Sequence, residues 1–191
     1  MKRNLFISIW MTLATTVLLG IIYPLVVTGL AQMLFPRQAN GELIQAAGKL
    51  QGSALIGQPF TAPGYFHSRP SAAGAAGYDA SNSSGSNLAP TNKALLDRVS
   101  AGVTAARAEN PNAAIPVDLV TASGSGLDPD ISPAAAEFQI PRVARERGLS
   151  ESDLRAIVSK HTLGRQFGFL GEPRVNVLEL NLDLDAVDAM R

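Results

Sequence analysis

The sequence predicts an α+β protein: one N-terminal transmembrane helix followed by a single mixed α/β extracytoplasmic domain. Three observations carry this prediction. No side chain between Arg3 and Arg37 is charged, whereas the rest of the 191 residues is polar and punctuated by Gly and Pro. Two stretches, 91–110 and 132–161, carry helical periodicity or helix start signals, and a third, 174–184, ends in strict alternation of apolar and polar residues.

The first element is the apolar run from Leu5 to Leu34. As a helix it is about 45 Å long, against a hydrocarbon core of about 30 Å, so residues 8–30 are assigned to the span, with 1–7 before it and 37–191 as the domain after it. Trp10 and Tyr23 suit the two interfaces, and Pro24 is expected to kink the helix because it lacks a backbone donor and crowds the preceding turn. Lys2, Arg3 and the amino terminus are positive, while the downstream flank mixes Arg37 and Lys49 with Glu42, which places the N-terminus in the cytoplasm. Small residues at Gly29-Leu30-Ala31 resemble a signal-peptidase site, but signal h-regions run only about 7–15 residues, so the anchor is expected to stay attached.

Leu43-Ile44, Leu55-Ile56 and Tyr65-Phe66 are short apolar pieces separated by Gly and Pro, as in short strands and turns. Ser71 to Ser86 has the Ala/Gly/Ser composition of a flexible linker. Leu95, Leu96, Val99, Val103 and Ala106 recur at helical spacing, with Thr91 as N-cap and Pro111 beyond the end. Ser132-Pro133 opens another helix, expected to falter at Pro141 and resume to Gly148. Ser150 with Asp153 forms a capping box for a helix reaching about His161. Arg174 to Leu184 reads as a strand, with Leu178, Leu180, Leu182 and Leu184 on one face and Glu179, Asn181 and Asp183 on the other.

Apart from Lys2 and Arg3, fourteen basic residues face sixteen acidic ones without clustering, which argues against nucleic acid as a partner. The chain has no Cys, which rules out disulfides and thiolate zinc sites, and its two histidines, His67 and His161, lack nearby carboxylates at ligand spacing, so no metal site is expected and both are assigned structural hydrogen-bonding roles. GxxxxGK[ST], GxSxG, HExxH and a GxGxxG after a strand are all absent from the sequence. A membrane-anchored extracytoplasmic hydrolase would need a Ser, one of the two His and an Asp to converge in space.

One Gly-rich segment, Thr121 to Pro129, follows the apolar Val117 to Val120. Successive glycines let backbone N–H groups converge on an anion, and the same composition makes an ordinary turn; without a lysine, a phosphate cradle lacks its usual positive charge. Ser123, Gly124, Ser125, Gly126 and Asp128, with Ser86 and Asn87 of the other Gly/Ser stretch, are the candidate nucleotide or partner contacts.

Several ordered runs, namely Gly52 to Gln58, Tyr65 to Ser71, Gly85 to Leu88, Pro90 to Asn92, Pro116 to Pro129 and Gly171 to Val177, resemble the C subunit of the Kdp-type bacterial potassium-transporting ATPase. Ser84 and Ala89 stand where that family's pattern has Gly, and Asp130 where it has His. The resemblance implies a non-catalytic accessory subunit of a high-affinity, ATP-driven potassium importer in the bacterial inner membrane. Its implied partners are the potassium-translocating and ATP-hydrolysing subunits and the lipid bilayer. It further implies that the chain stabilises the assembly and promotes ATP binding by the catalytic P-type subunit as a catalytic chaperone, with no cofactor tightly bound and ATP met through the complex. It also turns Ser71 to Ser86 from a tether into an ordered, partner-facing loop. ATP is cytoplasmic, whereas the charge pattern places the domain in the periplasm or outside the cell, so the nucleotide effect is expected to be indirect.

Overall fold

The computed structural model describes residues 1–46 and 48–188. It combines helices with two small sheets, and the chain divides into two compact units, Met1–Gln51 and Gly52–Arg191.

In the first unit, α1 (Lys2–Val17), a π-helical turn (Leu18–Ile22) and α2 (Tyr23–Leu34) form one helix of 33 residues, long and apolar enough to cross a membrane. The disturbance expected at Pro24 takes the form of that π turn, placed directly before the proline where an α-helical ladder would need the missing N–H. Phe35 leaves helical geometry ahead of Pro36, as residues before proline do, and α3 (Pro36–Ala39) follows. β1 (Leu43–Ala46) and β2 (Lys49–Ser53) form a two-stranded sheet.

In the second unit, residues 54–92 contain neither helix nor strand, so Leu55-Ile56 and Tyr65-Phe66 are turn and loop rather than strands. α4 (Lys93–Glu109) begins one residue later than Thr91 would place it, because Asn92 is the cap and accepts from the Ala94 N–H at 2.8 Å. α4 buries only Ala106 fully and leaves Leu96 58% exposed. β3 (Asp130–Ile131) leads into α5 (Pro133–Arg147), capped by Ser132, whose Oγ accepts from Ala135 N, and closed by Gly148 in the left-handed region. α5 does not break at Pro141. Asn110 donates its side-chain amide to the Phe138 carbonyl at 3.1 Å, beside the gap the proline leaves in the helical ladder, and the buried face on both sides of it holds the helix together. α6 (Glu151–Lys160) starts at Ser150, whose Oγ accepts from Asp153 N at 3.1 Å. β4 (Thr162–Leu163) and β5 (Arg174–Asn176) complete an antiparallel sheet in the order β3-β5-β4.

The strand expected over 174–184 ends at Asn176, and α7 (Val177–Asp188) replaces its alternating half. Val177, Leu180, Asn181 and Leu184 are buried, a spacing of three and four that belongs to a helix. The alternation of leucines misleads because one core position is Asn181, 1% exposed, a residue that looks solvent-facing in sequence. Asn176 also caps this helix, its side-chain oxygen accepting from Glu179 N at 3.1 Å. The hydrophobic core joins one face of α5 (Ala136, Ile140, Val143) to Leu154 and Val158 of α6, Val175 of β5, Leu180 and Leu184 of α7, and Phe66.

Candidate functional site

The Gly-rich segment is a hub for the chain that precedes it. Three successive carbonyls each take a donor from a different part of residues 57–83. Ser125 O accepts from Ser83 Oγ (3.0 Å), Gly126 O from Ser71 Oγ (2.6 Å) and Leu127 O from Gly57 N (2.8 Å). The amides of the same segment are turned onto its own hydroxyls, Gly126 N to Ser123 Oγ (2.9 Å) and Leu127 N to Ser125 Oγ (3.1 Å). These short-range serine turns arise because a hydroxyl two or three residues away competes well for a free N–H. Gly126 has φ +68°, and a Cβ there would lie 2.5 Å from Ser84 O and 2.7 Å from Ala73 N. Gly85 meets the segment from the other side, where a Cβ would lie 2.9 Å from Gly124 O.

The loop that docks on this hub, residues 71–86, is held by one saturated hydroxyl. Ser71 Oγ donates to Gly126 O and accepts from Ala73 N (3.1 Å) and Tyr78 N (2.8 Å), which uses its full donor and acceptor capacity. Tyr78 Oη donates to the Arg69 carbonyl, Ser84 Oγ to Ala72 O at 3.1 Å, and Ala73 is wholly buried. The Gly/Ser stretch that composition reads as a tether is therefore packed structure. Of the sequence candidates, Ser123, Gly126 and Asp128 lie inward at this junction, Gly124 and Ser125 are exposed on it, and Ser86 and Asn87 close the facing loop, Ser86 half-buried and Asn87 exposed with φ 51°.

Beside the hub opens a cleft of about 570 Å³ whose charged lining is Arg69, Asp118, Asp128, Asp130, Glu172 and Arg174. Arg69 pairs with Asp128 (2.9 Å) and Arg174 with Asp130 (3.0 Å), while Asp118 accepts from the Ser132 N–H at 2.7 Å and its hydroxyl at 3.1 Å. Burial pushes the Asp130 carboxyl above its ordinary value; Arg174 opposes this and Asp128 adds to it. Asp130 is thus tied to β5 by an ion pair. Among the described residues no group of His, Asp and Glu is arranged to hold a metal ion.

Sequence reasoning missed the residues that fasten the irregular chain to the helices. Asn181 of α7 accepts from Phe66 N and donates to Phe66 O, both at 2.9 Å, and Gln139 of α5 does the same for His67 at 2.8 and 3.1 Å. Arg142 donates to the carbonyls of Pro63 and Tyr65 and pairs with Glu109 at 2.9 Å. Gln139 and Arg142 stand three apart on the apolar face of α5, a polar intrusion that marks a buried partner. Both histidines are hydrogen-bonded. His67 Nε2 meets Ala62 O at 3.1 Å, and burial, with Arg142 nearby, lowers its pKa. His161 Nε2 meets Asp183 at 2.9 Å, a carboxylate shared with Lys160. Each ring's Nε2 is thus engaged by a backbone carbonyl or a carboxylate and not by a serine hydroxyl.

A family model described as the c chain of the K+-transporting ATPase, KdpC, matches residues 5–186. The chain is 63% identical over 190 residues to the potassium-transporting ATPase KdpC subunit of Koribacter versatilis (strain Ellin345), covering 100% of this chain and 98% of that one. It is 58% identical over 197 residues to that of Rhodopseudomonas palustris (strain BisB18), covering 97% and 99%, and 54% identical over 200 residues to that of Bradyrhizobium diazoefficiens, covering 99% and 100%. The chain belongs to the KdpC family and is an accessory subunit of a potassium-transporting ATPase complex.

Proposed function

We propose that this subunit hydrolyses nothing itself, stabilises the assembly of the potassium-translocating and ATP-hydrolysing subunits, and raises the ATP affinity of the catalytic subunit without binding the nucleotide directly. Its N-terminus lies in the cytoplasm and the domain from about residue 37 onward outside. The observation that carries the indirect action is the state of the Gly-rich segment. The amides of Gly126 and Leu127, the groups a phosphate cradle would offer, are hydrogen-bonded to Ser123 and Ser125. Carboxylates outnumber guanidinium groups in the adjoining cleft, which disfavours a polyanion there. An effect on ATP affinity then requires that the subunit bind one conformation of its partners more tightly than another.

Two measurements on the full chain test this. Titration of ATP into the purified chain in detergent is expected to give no saturable binding, while omitting the chain from the complex raises the ATP concentration needed for half-maximal hydrolysis; saturable binding lost on Gly124→Val would overturn the indirect mechanism. A single Cys replacing exposed Ser83, in a chain with no other Cys, is expected to react with an impermeant thiol reagent on intact cells. Reaction only after lysis would reverse the orientation.

A further inference from the structure

The hairpin between β4 and β5 carries apolar side chains that nothing in the domain covers. At its tip Phe167 is 88% exposed and Phe169 69%, with Leu163 and Leu170 nearly half-exposed beside them; beyond residue 34 no described large apolar side chain is more exposed than Phe167. The turn is closed on itself. Gln166 and Leu170 exchange both backbone bonds at 2.9 Å, and the amides of Gly168 and Phe169 donate to the carbonyls of Arg165 and Gln166 at 3.2 Å. Phe167 has φ 52°, a left-handed conformation that Gly or Asn adopts readily and a bulky residue rarely does. A ring held there against its backbone preference, while adding almost nothing to the core, points to a use at the surface. From Thr162 to Gly171 the one charged residue is Arg165.

We infer that this tip seats in the surface of the bilayer that the chain's own helix spans, with both Phe rings at the level of the headgroups and upper acyl chains. The four apolar side chains expose together on the order of 500 Å², a large patch for an unoccupied surface, yet below the about 800 Å² per partner that a stable protein interface buries. A tip whose amides are already engaged enters lipid without stranding them, whereas a protein interface of that size is expected to add hydrogen bonds of its own. Arg165 pairs with Glu172 at 2.5 Å, but at 44% and 74% exposure the pair is weak, so the guanidinium can turn to an anionic phosphate. The absence of a carboxylate from Thr162 to Gly171 removes the repulsion such a surface would exert. Residues 35–51 separate the helix from the second unit and reach at most about 60 Å, which keeps the bilayer at high effective concentration, so shallow insertion of two rings suffices. This rests on the reading of the helix as a span, and it holds on whichever side of the membrane the domain lies.

The test uses the assembled complex in vesicles of phosphatidylethanolamine and phosphatidylglycerol, with a diazirine-bearing phenylalanine in place of Phe167. Irradiation is expected to give lipid adducts as the main product. Adducts to another subunit or to a second copy of the chain would overturn the inference in favour of a protein partner, and reaction with water alone would overturn it in favour of a free loop. A second measurement follows the full chain by itself in the same vesicles, where Trp10→Phe removes the native tryptophan and Phe167→Trp places the only one at the tip. Its emission is expected to shift to the blue and to fall roughly twofold when the lipids carry bromine at about 5–10 Å depth. Emission typical of water, unchanged by bromine, would equally refute the inference. Retention of the chain in the vesicles after alkaline washing reports the span separately. A tip that stays in water on a retained chain therefore counts against the tip alone, whereas release of the chain would remove the span and the inference with it.

Discussion

The membrane helix and the irregular chain of residues 54–92 meet the same requirement in opposite ways. Each must satisfy its backbone N–H and C=O groups. The helix does so mostly within itself, although the π turn, in which Tyr23 N–H bonds to Leu18 O, and Pro24, which has no N–H, leave the carbonyls just before the proline short of donors. The irregular stretch has no ladder of its own and is held partly by local turns such as that around Ser71 and partly from outside, by Asn181, Gln139 and Arg142 on two helices and by the hub at residues 123–127. Asn181 and Gln139 act on the adjacent residues Phe66 and His67 as two borrowed rungs of a sheet, each side-chain amide standing in for a backbone one. A regular element tolerates change at most side chains, whereas a segment held by a few polar groups depends on each of them.

Removing such a group is therefore expected to have the largest effect. Asn181→Leu keeps the side-chain volume but leaves the buried N–H and C=O of Phe66 without partners, and should destabilise the domain by about 4 kcal/mol, two desolvation penalties of about 2 kcal/mol each. Denaturant unfolding of the full chain in detergent, followed by circular dichroism, measures it. A loss below about 1 kcal/mol would mean that the loop relaxes to water and is not held by the amide.

The hub offers a sharper contrast between two glycines. At Gly126 the positive φ and the approach to Ser84 O and Ala73 N leave no room for a methyl group, so Gly126→Ala should cost about 3 kcal/mol. Gly124, with nothing within 4 Å of the place a Cβ would occupy and no positive φ, should accept Ala within about 0.5 kcal/mol. Equal effects at the two positions would show that the hub does not constrain the loop. Ser71→Ala is expected to fall between them, near 2 kcal/mol, since one hydroxyl serves three backbone groups of a half-buried turn.

What the sequence revealed followed the range of the interactions. The apolar helix was legible because hydropathy is a local sum, and the starts of α5 and α6 because Ser132-Pro133 and Ser150 cap within three residues. α7 was misread although Asn176 and Glu179 spell a capping signal, because Asn181 replaces an apolar residue on its core face and owes its burial to Phe66, 115 positions away. The candidate residues of the Gly-rich segment were named from composition, but composition is silent on which amides are engaged, and the bonds from Ser71 and Ser83 span 55 and 42 residues. Arg69 lay in a recognised motif, yet its pairing with Asp128 across 59 residues had no local trace.

The smallest expected effect concerns the junction between the two helices that end the domain. At α6 and α7, Lys160 and then His161 hold the Asp183 carboxyl below its ordinary value of 3.8. A depressed folded-state pKa contributes stability that is fully present above the unfolded value and disappears as pH falls through the folded one. Wild type and Asp183→Asn should therefore differ while the carboxyl is ionised, above its ordinary value, and converge as the pH drops below about 4, because the protonated carboxyl then resembles the amide. Because Lys160 is largely exposed, salt should shrink the difference at neutral pH. Denaturant midpoints of both proteins across that range decide it. A difference that persists unchanged at the lowest pH would mean that Asp183 acts by shape and hydrogen bonding to α6 and not by charge, which would make this junction another case of the neutral side-chain fastening seen at Asn181.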